Sequence, residues 1–312
     1  MRTVISFTDT AIKAVQGNYN GKFFKIQASE TVNMPKAAFR NAEIVKGSGE
    51  AIKRELENLR SRLVRFSSCD LVLDNQMYLT TSELPWLSGG GFRQAAKNAF
   101  MYNRSEFDER YYVTDYMILE RPRSEIPSLV LFGALKKEAI MGIVEFLKES
   151  KIKVARIDMT ISGLLQLAAK ASTFDRKNAV ICAMDGDNLY IYSFSNKGSI
   201  FTAQAPINEK AGTPPYFAKI AYEISKYASF KRTERIRQGF PQDGYIYFFD
   251  MNRKDADGNS DFTGYNNELG SRINIEDYIS IGIKAALGEG TFIGNRFDAD
   301  MYAPLLGVLS QS

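Results

Sequence analysis

The residues whose spacing comes nearest to a site are Asp255, Asp257, Asn259 and Asp261, which set oxygen ligands at alternate positions as a calcium loop does. The sixth position of that loop lacks the turn glycine and the twelfth lacks the bidentate glutamate, so the segment reads as a solvated loop. Lys231, Arg232, Arg235 and Arg237 could meet phosphate, but Glu234 interrupts them and no aromatic ladder accompanies them. They read as the wet end of a helix. Asp70 and Asp74 have no supporting constellation for glycosidase-like chemistry. Histidine is absent, which removes Ser-His-Asp and Cys-His nucleophiles and every imidazole metal site. No catalytic residue and no metal site is assigned. The two cysteines, Cys69 and Cys182, are far apart and read as core or strand residues of a protein in a reducing compartment.

The remaining composition is that of a globular protein: 45% hydrophobic, 24% charged, with 40 basic residues scattered among 36 acidic ones for a net charge of +4. No basic tract points to nucleic acid. No stretch approaches the roughly 20 apolar residues needed to cross a bilayer, and the start, Met1-Arg2 and a short alternating run, lacks the features of a signal peptide. The expectation is a cytoplasmic protein.

Alternation predicts a meander over Arg2–Phe7, Ala11–Gln16 and Lys22–Ser29, with a turn at Asn18-Tyr19-Asn20-Gly21. Ile52, Leu56, Leu59 and Leu63 then mark a helix. Strands follow from Cys69 to Ser82, a helix over Phe92–Asn103, and strands at Tyr111–Leu119 and Ser128–Leu135. Lys136–Ser150 carries Ile140, Ile143, Val144 and Leu147 on one stripe and is a second amphipathic helix. Lys151–Asp158 reads as a strand and Ile161–Lys170 as an apolar helix. A second meander (Ala179–Met184, Leu189–Phe194, Ser199–Ala205) turns at Asp185-Gly186-Asp187-Asn188 and Asn196-Lys197-Gly198, repeating the plan of the N-terminus. A helix over Tyr216–Arg235, a strand at Tyr245–Asp250, a helix around Ile275–Leu287 and an apolar run at Met301–Leu309 complete the chain.

Two meanders, each followed by helices and further strands, with an insert in the first unit, resemble the actin-like ATPase superfamily in its FtsA/PilM branch. Residues 4–15, VISFTDTAIKAV, resemble the PilM opening, usually of the form IDIGSSSIKAV. Residues 129–158, LVLFGALKKEAIMGIVEFLKESKIKVARID, resemble its strand, helix and strand ending in Asp, and residues 299–309, ADMYAPLLGVL, resemble its closing helix. The likeness to PilM-type type IV pilus assembly proteins implies an α/β, actin-like (ribonuclease H-like) two-lobed fold with an inserted α+β subdomain. Its expected parts are a first lobe over 1–68, the insert over 69–156 and a second lobe over 157–312.

In that superfamily the two hairpin turns wrap nucleotide phosphates with backbone amides while acidic residues organise the metal. The resemblance assigns the first turn to Thr8, Asp9, Thr10 and Lys13 and the second to Asp185, Gly186 and Asp187, with ATP and Mg²⁺ as cofactors if the cleft still binds nucleotide. The family's Asp and Gly fall on Ser6 and Thr8, its second acidic residue and Gly near Cys182 or Ala183 and Met184, and its adenosine-loop glycines on Phe248-Phe249-Asp250-Met251. Loss of the metal-organising acids implies a pseudo-ATPase, because phosphoryl transfer depends on positioned charge. The resemblance further implies a scaffold that captures the cytoplasmic tail of a PilN-like membrane protein, with Leu84, Pro85 and Trp86 lining the groove. It also implies contact with the pilus motor ATPase, assembly into a homo-oligomer or ring, and a peripheral place at the inner membrane face with no insertion. The rival readings are the cytoplasmic domain of a GspL-like type II secretion protein and an FtsA-like protein that binds ATP.

Overall fold

In the chain, β1 (Arg2–Phe7), β2 (Ala11–Tyr19) and β3 (Phe24–Asn33) form an antiparallel meander, followed by the small hairpin of β4 (Phe39–Arg40) and β5 (Glu43–Ile44). This is a computed structural model, which describes residues 1–35, 38–40, 43–73, 78–85, 90–103, 108, 110–120, 127–172, 174, 179–194, 200–237, 244–252, 268, 271, 278–281, 287, 291–294 and 299–311. Next come α1 (Gly49–Ser61), β6 (Ser68–Leu73), β7 (Tyr78–Leu84), α2 (Gly90–Asn103), β8 (Tyr112–Glu120), β9 (Ser128–Lys136), α3 (Lys137–Glu149), β10 (Lys153–Met159) and α4 (Thr160–Ala168). The second half holds β11 (Ala179–Asp185), β12 (Asn188–Phe194), β13 (Ile200–Pro206), α5 (Pro214–Arg237), β14 (Gly244–Asp250), β15 (Tyr278–Ile281), β16 (Phe292–Gly294) and α6 (Ala303–Leu309).

Two of the sheets share one topology. The first runs β10-β6-β1-β2-β3-β16 and the second β13-β12-β11-β14-β15. In each, a meander (β1–β3 or β11–β13) is extended on its first strand by two parallel strands, β6 and β10 or β14 and β15. The internal duplication expected of a two-lobed fold is therefore present at the level of hydrogen-bonded strands.

The twofold period of a strand explains the layers. Val4 and Val72 face inward to the central core, while Ile5, Phe7, Leu71 and Leu73 face outward under Leu56 and Leu59 of α1 and Ile143 and Leu147 of α3. In the second sheet, Ile181 and Ala183 face the same central core, and Val180, Cys182 and Met184 face Ile220 and Ile224 of α5. Between the two sheets lie α4 and α6, whose residues are almost all buried. They cross at Gly163 and Gly307, where a Cβ on either residue would overlap the other helix's backbone. Only glycine permits that approach.

A separate sheet, β7-β9-β8, carries α2 on one face, with Phe92, Ala96 and Phe100 packed on Val130 and Phe132. The expected limits of the insert, 69 and 156, fall inside β6 and β10, which are both hydrogen-bonded into the first sheet.

Two local expectations change. The helix expected around Ile275–Leu287 contains a strand: Tyr278–Ile281 pairs parallel to Gly244–Tyr247, because a short β-branched run beside an open strand edge gains ladder hydrogen bonds that override its helical spacing. The turn expected at Asn18–Gly21 begins later, as β2 continues to Tyr19 and Asn20 Oδ1 accepts from the amides of Lys22 (3.0 Å) and Phe23 (2.9 Å). The Asn196-Lys197-Gly198 turn and the Asp255–Asp261 loop lie outside the described residues.

Candidate functional site: an interlobe cleft and a groove beside the small sheet

Two places bring polar groups together, and the first is where the hairpin turns of the two meanders meet. Thr8 Oγ1 accepts from the amides of Ala11 (3.1 Å) and Thr10 (3.3 Å), and the Thr8 amide donates to the Ala11 carbonyl (2.9 Å). The Thr8 side chain thus engages the amides of its own turn. In the facing turn, the Gly186 amide donates to Asn252 Oδ1 (2.7 Å), and Asn252 Nδ2 returns a bond to the Gly186 carbonyl (2.6 Å). Gly186 has φ +56°, and a Cβ there would stand 2.7 Å from Thr10 Cγ2. The left-handed turn and the neighbouring lobe both require glycine.

Lys13 spans the turns. Its ammonium donates to Asp185 Oδ1 (3.2 Å) and to the Met251 carbonyl (3.1 Å), with both charged side chains 5% exposed. Asp250, at the end of β14, accepts from the Asn252 amide (3.0 Å) and faces the Tyr216 hydroxyl (3.4 Å). Of the residues assigned to nucleotide, the fold gathers Thr8, Thr10, Lys13, Asp185 and Gly186 at one point, while Asp9 and Asp187 lie exposed on the two turns. The contacts of Met251 and Asn252 escaped the sequence reading, which placed Met251 only among Phe248-Phe249-Asp250-Met251, where the adenosine-loop glycines were expected.

Among the described residues no group of three or more His, Cys, Asp or Glu could hold a metal. Both cysteines are unpaired and buried, and burial, followed by the charge of Asp70, pushes the Cys69 thiol up to about 12. Neither is a nucleophile at neutral pH. Asp70 is engaged by Arg2, whose Nε donates at 3.0 Å.

The second place is a groove of about 660 Å³ between the small sheet and the edge of the first lobe. Its floor is Met117 of β8 with Leu131, Gly133 and Leu135 of β9, and its wall is Met159 and Gln166 from β10 and α4. Gln166 Nε2 lies 3.0 Å from Met117 Sδ. At the rim, Arg156 donates to Gln311 Oε1 (2.6 Å) and Gln311 Nε2 donates to Asp158 Oδ2 (2.8 Å). The strand order leaves β8 with one neighbour, β9, so among the described residues no strand occupies its outer edge. Tyr111 and Val113 there are 64% and 43% exposed.

The expected groove residues are elsewhere. Leu84 closes β7, on the opposite edge of the small sheet, and is buried in the core beneath α2; Pro85 is exposed. Neither lines the groove, and Trp86 lies outside the described residues. The groove residues Met117, Gly133, Met159 and Gln166 gave no signal in sequence, because strands β8, β9 and β10 and helix α4 assemble them.

Two duplicated sheets around a cleft, with crossing helices between them and a small α+β layer on the first, define the actin-like fold. A solved PilM-PilN type IV pilus biogenesis complex has a similar structure over 99% of this chain and 97% of that one, with a TM-score of 0.67 and 13% sequence identity. The cytoplasmic domain of EpsL, an inner-membrane component of the type II secretion system of Vibrio cholerae, aligns over 80% of this chain and 81% of that one (TM-score 0.43, 12% identity). The ethanolamine utilization protein EutJ from Carboxydothermus hydrogenoformans aligns over 99% and 88% (TM-score 0.45, 9% identity). No family model and no curated protein matches the sequence.

Proposed function

We propose that this chain is a docking component of a type IV pilus assembly machine that holds an extended segment from the cytoplasmic tail of a PilN-like membrane protein. The observation that carries the reading is the groove, with an apolar floor and a polar rim, bordered by the outer edge of β8. An unpaired strand edge offers backbone hydrogen bonds to an incoming strand, and a floor of Met117, Leu131 and Leu135 offers pockets for its alternate side chains. The end-to-end likeness to a PilM-PilN complex supports that kind of partner.

The same reading makes the chain a pseudo-ATPase. Nucleotide phosphates need free turn amides and a cation, whereas here Thr8 and Asn252 engage those amides and the Lys13 ammonium already neutralises Asp185. Contact with the pilus motor and assembly of several copies at the inner membrane face belong to this proposal and rest on the pilus assignment alone.

The experiment places a photo-crosslinking amino acid at Val113 in cells of the native host and identifies the light-dependent adduct by mass spectrometry. The expected adduct is a membrane protein joined through its cytoplasmic tail, with none when the same group stands at Met141, an exposed site on α3. Absence of a membrane-protein adduct at Val113, or equal yields at both positions, defeats the docking reading.

A further inference from the structure

The first sheet has two ends. Where β1 stops, its turn meets the second lobe at Gly186. At the other end β1, β6 and β10 all begin, because the three run parallel, and α1 and α3 return the chain there. The connections 62–67 and 150–152 lie side by side at that end: Arg60 Nη1 donates to the Ser150 carbonyl (2.8 Å) and the Lys153 amide to the Ser67 carbonyl (2.9 Å). These connections and the first residue of β10 expose Arg62, Arg65, Lys151 and Lys153, with no carboxylate in 62–68 or 150–155. Glu30 stands 3.8 Å from Arg62, Glu57 shares a shallow depression with Arg65, and Glu149 ends α3. Among the described residues Arg65, Lys151 and Lys153 have no ion partner. Lys151 has φ +59°, so the chain carries a cation just past a helix where glycine is usual and would relieve strain. Val64 is 46% exposed between the two arginines, and its backbone is fixed: the buried Gln16 carboxamide accepts from the Val64 amide (2.8 Å) and donates to its carbonyl (2.8 Å).

We infer that this end of the first lobe rests on an anionic bilayer surface, without inserting a segment. The inference goes beyond the docking reading and does not depend on it. Cations spread over two connections match a flat field of headgroup phosphates, where each finds its own partner. A single-stranded nucleic acid would call for open stacking rings, and Phe66, the ring at this end, lies under the Arg60 guanidinium at 5.7 Å. An apolar side chain held out between cations, as Val64 is, fits the boundary of headgroups and acyl chains. The location also suits the groove. Strand β10 carries Lys153 at this end and Arg156 to Met159 in the groove wall, so at about 3.3 Å per residue the groove begins roughly 10 Å from the basic end. A tail leaving the membrane would reach it directly.

The test floats the full chain with vesicles of phosphatidylcholine alone, or of phosphatidylcholine mixed equally with phosphatidylglycerol. The vesicles hold no protein, so the result leaves the docking reading to the Val113 crosslink. The wild type is expected to float with the mixed vesicles only, and to come off as salt rises. Removing two cations in R65Q/K151G should weaken partitioning by about tenfold, while the glycine leaves thermal unfolding unchanged or raises it. The variant K46Q/K210Q makes the same charge change at exposed lysines before α1 and in the second lobe, and should float as the wild type does. Equal flotation of the two variants overturns the inference. Flotation with phosphatidylcholine alone, or none with the mixed vesicles, does the same. Binding of labelled polyglutamate or single-stranded DNA without flotation would assign this end to an acidic macromolecule and overturn the bilayer contact.

Discussion

Lys13 and Asp185 stand on different lobes, 172 positions apart, and are almost fully buried together. Removing one partner of such a pair leaves a desolvated charge, at a cost of about 3–5 kcal/mol, whereas replacing both with apolar groups recovers most of it. Lys13→Met is therefore expected to lower the urea midpoint sharply, and Lys13→Met/Asp185→Leu to restore most of the loss; equal losses in the two variants would mean that the pair does not hold the lobes together. Half of this site was legible in the sequence. The resemblance pointed to Thr8, Thr10 and Lys13 on one hairpin and Asp185 and Gly186 on another, and each set is contiguous in the chain. Asn252 and Met251 were not legible, because their partners lie 66 and 238 positions away and only the paired lobes bring them near. Leu84 follows strand residues and precedes a proline, and sequence gives no indication of which edge of a three-stranded sheet it will occupy.

At the level of elements, α4 and α6 cross in close backbone contact at Gly163 and Gly307. An alanine at Gly307 would force the helices apart between two packed sheets. Overpacking of this kind costs about 1–3 kcal/mol and occasionally more. Gly307→Ala is expected to fall at or above that range in chemical denaturation, and Gly142→Ala, on α3 with open space around it, to be near neutral or mildly stabilising. Comparable losses would remove the crossing from the account. Elements with a clean period were readable, as α1 and α3 were from their buried stripes. Tyr278–Ile281 was not, since the four-residue run Tyr-Ile-Ser-Ile is too short to fix a period and its neighbour β14 decided the outcome.

Across the whole molecule, the two lobes meet where the hairpin turns of their meanders face each other, through Lys13, Asp185, Gly186 and Asn252. A site with micromolar affinity would stabilise the protein by about 4 kcal/mol at a thousandfold excess of ligand, raising the melting temperature by several degrees. Millimolar Mg-ATP is expected to leave the melting temperature unchanged and to release no phosphate over buffer; a dose-dependent rise would contradict the loss of nucleotide binding, and phosphate release the pseudo-ATPase reading. The position of α6 bears on how the protein is made. Residues 303–309 fill the space between sheets whose first strand begins at Arg2, and the Arg2 guanidinium reaches the carbonyls of Leu309 and Gln311. During translation, strands that have already left the ribosome must wait with their inner apolar faces wet until this segment emerges, so a nascent chain that still lacks residues 303–309 is a substrate for chaperones.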